Sequence, residues 1–134
     1  MTNCPTKKVN KILNEQYSFS TTDNKVTKIH ISPDEFLKTT WKQYLIRCHR
    51  DDGVKTKEKC ESFREYKKSA IFPPNVEGIR EVIKGKKKSS YGIPIPFLEF
   101  NKRGKPTGHE GRHTALAIKS LGCKSMPVTL VKRK

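Results

Sequence analysis

Apolar and polar residues change period several times along this chain, and each change marks a predicted element. The stretch VTKIHI at 26–31 alternates, as a strand with one buried face does. SPDEFLKTTWKQYLI follows at helical spacing, with Phe36, Leu37, Trp41, Tyr44 and Leu45 on one apolar face. Ser32 suits the cap, Pro33 the first helical position, and Glu35 closes a capping box with Ser32. At 46–62 the pattern breaks into IRCHRDDGVKTKEKCES, a polar excursion with a turn at Asp52-Gly53. SFREYKKSAIFPP then reads as a short helix ended by Pro73-Pro74.

NVEGIREVI restores a helical stripe through Val76, Ile79, Val82 and Ile83, with Asn75 as its cap and Gly85 as its stop. GKKKSS makes a basic loop. IPIPFLEFN reads as a strand whose two prolines place it at an edge or at the start of pairing. KRGKP is a turn, TALAIKSLG a helix buried through Ala115, Ile118 and Leu121, and MPVTLV a closing strand. The order strand, turn, helix, strand over 93–131 predicts an α+β fold, a small mixed sheet packed with helices. The whole of 1–134 reads as a single domain. Its core is 26–45 and 75–131, residues 1–24 form a polar arm, and 46–70 an irregular basic insertion.

Charge changes the picture most. The formal net is +16, and from Val82 onward the only acids are Glu99 and Glu110. Such an excess suits DNA, RNA or nucleotide phosphates. Lys84, Lys86, Lys87 and Lys88, with Lys102, Arg103 and Lys105, are the candidate nucleic-acid contacts. No apolar run approaches the roughly 20 residues that span a bilayer, and MTNCPTKKVNK lacks the apolar core of a secretory signal. The expectation is therefore a cytoplasmic protein with no membrane partner. Cys4, Cys48, Cys60 and Cys123 are far apart with no C-x-x-C pair, so they are read as reduced thiols.

One stretch carries candidate chemistry. HEGRH, from His109 to His113, matches the H-E-x-x-H pattern of zinc proteases. That chemistry needs both histidines mid-helix and a third ligand downstream. Here a turn precedes His109, and after His113 no Asp, Glu or His follows. No zinc is expected. The same residues suit a helix start, with Thr107 and Glu110 as a capping box. The first-turn N–H groups, the positive dipole end and Arg112 would then hold an oxyanion. On this reading Arg112 is exposed and dispensable for folding.

Glu110-Gly111-Arg112-His113-Thr114-Ala115-Leu116-Ala117, then Leu121-Gly122 and Met126-Pro127-Val128, resembles the core motif of the ParB/sulfiredoxin-like superfamily. With ISPDEFL and PFLEFN, the chain is most similar to ParB-like domains of phage and mobile elements, some of them nucleases. The resemblance covers 93–131 well and 26–37 faintly. It implies a site that contacts nucleotide or substrate phosphate, in a prokaryotic cell or in the host of a phage, and by position Gly111, Arg112 and His113 would line it. Gly108, His109 and Thr114 join them as phosphate-binding candidates at the helix start, and Glu110 and His113 are the catalytic candidates. Thr114 stands where the motif usually has Arg. Sulfiredoxin's catalytic cysteine has no counterpart between Gly108 and Thr114, which excludes that activity. Three functions follow from the resemblance. One is a nucleic-acid binder that cleaves DNA, another a phosphotransferase or switch using a nucleoside triphosphate with Mg, and the third a binding module without chemistry.

Overall fold

The computed structural model describes residues 3–52, 73–89 and 92–134. In chain order the elements are α1 (Thr6–Ile12), β1 (Leu13–Asn14), β2 (Asn24–Ile31), α2 (Pro33–Asp52), α3 (Pro73–Ile83), β3 (Ile93–Pro94), β4 (Phe97–Phe100), β5 (Pro106–Glu110), α4 (Arg112–Ser120) and β6 (Met126–Arg133). Four strands form one mixed sheet in the order β2-β6-β4-β5. β6 pairs antiparallel with β2 and parallel with β4, while β4 and β5 form an antiparallel hairpin. β1 and β3 make a separate short parallel pair. The fold is thus α+β with small mixed sheets, as the periodicity predicts.

Ser32 caps α2 in the expected way. Its hydroxyl accepts from the Glu35 N–H at 3.0 Å and its carbonyl from the Phe36 N–H at 3.1 Å. Phe36 is thereby aimed into the core, where it is fully buried with Ile118, Leu121, Met126 and Val128. On this side of the sheet α4 packs against both α2 and α3, and α2 against β5. Truncating a side chain buried like Phe36 typically costs about 3–5 kcal/mol.

The outer face has a different cover. Residues 15–20 run across it without regular structure. Tyr17 and Phe19 each meet the Phe97 ring edge-on at 5.0 Å, and Glu15 pairs with Lys28 of β2 at 2.7 Å. Under this strap Thr129 and Val131 of β6 are buried. The polar arm of the sequence reading is therefore an ordered helix, a strand pair and a strap.

Three further expectations change. α2 continues to Asp52, so the first residues of the polar excursion are helical; 53–72, including the helix read in SFREYKKSAIFPP, lie outside the described residues. Pro73 and Pro74 open α3, because the first turn needs no proline N–H, and Asn75, read as the cap, lies inside it. Cys4 and Cys123 are not thiols but a disulfide across a separation of 119 residues, formed because α1 sits beside the loop that follows α4, with Cα atoms 4.6 Å apart. The side chains of Cys48 and Cys60 lie outside the described set. Among the described residues no helix is long and apolar enough to cross a membrane.

Candidate functional site

The HEGRH segment is not one helical turn. Its first two residues end strand β5, Gly111 turns the chain, and α4 begins at Arg112. Alternation along β5 sends His109 inward and Glu110 outward, opposite Leu98 and Phe97 of β4 respectively. Gly111 has φ 117° and ψ 19°, a left-handed conformation that glycine adopts freely. A Cβ there would lie 2.5 Å from the Pro96 Cβ, so no other residue fits the turn as built.

This geometry overturns the capping box. Thr107 lies within β5 and its hydroxyl donates to the Glu99 carbonyl at 3.4 Å, so it cannot cap a helix five residues later. α4 has no side-chain cap, and its first bonded N–H is that of Ala115, donating to the Gly111 carbonyl at 2.9 Å. The N–H groups of Arg112, His113 and Thr114 precede any intrahelical partner. The zinc-protease geometry is also absent, since one histidine is on a strand and the other on a helix.

His109 and Arg112, both expected at the anion, turn away from the helix start toward α2. His109 is buried, its Nδ1 hydrogen-bonded to the Gln43 Oε1 and its ring edge-on to Phe36 at 6.5 Å. Arg112 donates through one nitrogen to the Leu37 carbonyl at 2.9 Å and the Thr40 Oγ1 at 2.5 Å, and its guanidinium lies 5.5 Å from the centre of the Trp41 ring. It is a brace between two helices. Gly108 is packed against the Glu99 side chain on the outer face.

Four of the expected residues do converge. Glu110, Gly111, His113 and Thr114 line one cleft of about 290 Å³, closed by Pro94 and Pro96, by Ile79 of α3 and by Tyr17 of the strap. Tyr17 is the member that the sequence reading missed. The spacing of Tyr17 and Phe19, two apart in an otherwise polar arm, is the signal that would have found it. Burial, and then the Glu110 carboxylate, push the Tyr17 phenol above the usual tyrosine value. The cleft therefore offers a carboxylate, an imidazole, a phenol that keeps its proton, and the N-terminal end of a helix that has no side-chain cap.

The seven expected lysines and arginines fall into two groups. Lys84, Lys86, Lys87 and Lys88 follow the end of α3, where the N–H groups of Lys86 and Lys87 donate to the Glu81 carbonyl at 2.8 and 3.3 Å. The helix ends at Ile83, about one turn past Ile79 of the cleft, and the lysines follow it. Lys102, Arg103 and Lys105 occupy the β4–β5 turn, at the other end of β5 from Glu110, about 15 Å away. Comparison with family models, curated proteins and solved structures finds no match to this chain.

Proposed function

We propose that this protein is a nucleic-acid-binding domain of the ParB/sulfiredoxin-like kind that seats a backbone phosphate in the cleft at the start of α4. The observation that carries the reading is the left-handed Gly111 pressed on Pro96. It leaves the helix start uncapped and turned into an open cleft, where N–H groups and the helix dipole favour an anion. The +16 net charge supplies long-range attraction for a polyanion. Glu110 and His113 flank the seat, and such a pair can activate water and protonate the leaving oxygen of a phosphodiester. Hydrolysis is the second stage of the proposal.

At about 290 Å³ the cleft is at the small end of the roughly 300–1,000 Å³ of pockets that enclose drug-sized ligands, with room for a phosphate of a polymer. Glu110 is a suitable single carboxylate for a phosphate-bound Mg²⁺, which characteristically keeps several waters. That ion would supply charge neutralisation at the phosphate. Phosphotransfer from a nucleoside triphosphate and binding without chemistry are the other two readings, and one set of assays separates all three.

Labelled DNA and RNA should bind with a slope of log K against log salt of several units, about −0.9 per phosphate neutralised on duplex DNA. His113→Ala and Glu110→Gln should stop cleavage while binding persists. Salt-independent binding, or none, sinks the first stage. Binding with no cleavage by the wild type, with or without Mg²⁺, sinks the second. Nucleotide turnover without nucleic-acid binding would favour the phosphotransferase.

A further inference from the structure

The sheet topology gathers charge at the end opposite the cleft. Asn24 of β2 pairs with Arg133 of β6, and Phe100 of β4 pairs with Lys132, so the start of β2, the end of β6 and the β4–β5 turn share one edge. Lys102, Arg103 and Lys105 from the turn thereby meet Lys132, Lys134 and Lys25 from the other two strands, all exposed. In the sequence these cations are scattered over more than a hundred residues.

On the outer face of this end lies a groove of about 400 Å³, distinct from the cleft at α4. Val131 lines it below, and Phe19, Asn24, Asn101, Glu99 and Arg133 surround it. The lining is set in place before any ligand arrives. Phe19 is held by Phe97, and Asn101 is fixed by accepting the N–H groups of Arg103 and Lys105 at 2.9 and 3.0 Å through its side-chain oxygen. The Glu99 carboxylate and the Arg133 guanidinium form no ion pair among the described residues, although both line the same groove.

We infer that this groove takes one unstacked base of a single-stranded nucleic acid, with the flanking phosphates on the lysines of the rim. An aromatic ring offers a base its face, and amide, carboxylate and guanidinium groups offer partners for its edge. The cations match the backbone. A duplex keeps its bases stacked inside and can use only the rim. Phosphate attraction alone would need neither the phenyl ring nor the carboxylate. Glu99 can accept two parallel N–H bonds, so guanine, whose Watson–Crick edge carries adjacent N–H donors, should be favoured. The inference rests on the nucleic-acid reading above but uses a different surface.

Binding of the full chain to a short labelled oligonucleotide, as a single strand and as the corresponding duplex, tests it. The single strand should bind the more tightly. Phe19→Ala and Arg133→Ala should each weaken it about tenfold, the effect expected for one stacked base or one charged contact, and change duplex binding less than about twofold. Glu99→Gln should lower the preference for guanine-containing strands. Arg133 is exposed, so its variant reports even if Phe19→Ala unfolds the strap. Equal affinity for both forms, or equal losses on both in the Arg133 variant, overturns the inference. If His113→Ala stops cleavage while the groove variants leave single-strand binding unchanged, the groove fails and the cleft stands. If no nucleic acid binds, both fail.

Discussion

Replacing Arg112 by alanine separates the structure from the simplest reading of the sequence. An exposed first-turn arginine would leave stability unchanged and weaken anion binding. In the structure Arg112 joins α4 to α2, and its loss removes a charged donor from the Leu37 carbonyl, which keeps the helix ladder and the Thr40 hydroxyl at 3.3 Å, and from the buried Thr40 hydroxyl, which itself donates to the Phe36 carbonyl at 2.8 Å. Hydrogen bonds from a charged donor contribute about 1.5–3 kcal/mol each. These two share a single nitrogen, so they sum to less than twice that. The Trp41 contact adds about 0.5–1 kcal/mol at a partly exposed position. The expected loss is therefore about 3 kcal/mol, a fall in Tm of about 10 °C for a domain of this length. Arg112→Lys keeps the charge but not the planar fork, and should fall between. Thermal melts by circular dichroism measure the loss, and oligonucleotide binding well below both melting points measures the site. A variant melting within about 2 °C of wild type but binding tenfold more weakly would refute the brace and return Arg112 to the anion.

Three other perturbations have definite outcomes. Gly111→Ala must adopt φ 117° and push its methyl against Pro96, so it should lose about 3 kcal/mol in denaturant melts; a neutral result would mean the turn is built differently. Removing the Cys4–Cys123 link should cost up to about 4–5 kcal/mol, given the length of the closed loop, with Cys4→Ser and Cys123→Ser each matching the reduced protein. Non-reducing peptide mapping that recovers Cys4 alkylated would refute the link. The Tyr17 phenol, identified by difference against Tyr17→Phe, should titrate above the usual tyrosine value and fall partway in Glu110→Gln, leaving the part due to burial. Because the folded state holds this proton more tightly, the associated stability is present below the usual value and is lost as pH rises through the raised one. Titration at the ordinary value in the folded protein would place Tyr17 outside the cleft.

Legibility followed the range of the interactions concerned. The Ser32 cap, the alternation in β2 and the apolar face of Ala115, Ile118 and Leu121 are set by neighbours within a turn or two, and all could be read directly. The start of α4 could not. Thr107 and Glu110 have the spacing of a capping box, and PTGHE has little intrinsic preference for a strand, yet pairing with β4 gives that backbone its hydrogen bonds and holds it extended. Arg112 likewise finds partners 72 and 75 residues away, and Cys4 its partner 119 away. Side-chain type says what such residues can do, but not toward what they are turned.

The basic residues show the same limit at the level of the whole surface. Read in order, 84–88 and 102–105 look like one positive tract broken by a strand, and a single track for a phosphate backbone is the natural inference. A β-hairpin reverses direction, so β5 must carry the chain from its turn back to the cleft at Glu110 and leave Lys102, Arg103 and Lys105 behind at the opposite end. Parallel pairing of β4 with β6 then brings Lys132 beside that same turn. The positive charge is thus divided between a helix end near the cleft and a sheet end beside a separate groove. A polyanion engaging both must lie across the molecule, with the cleft and the groove about one sheet length apart.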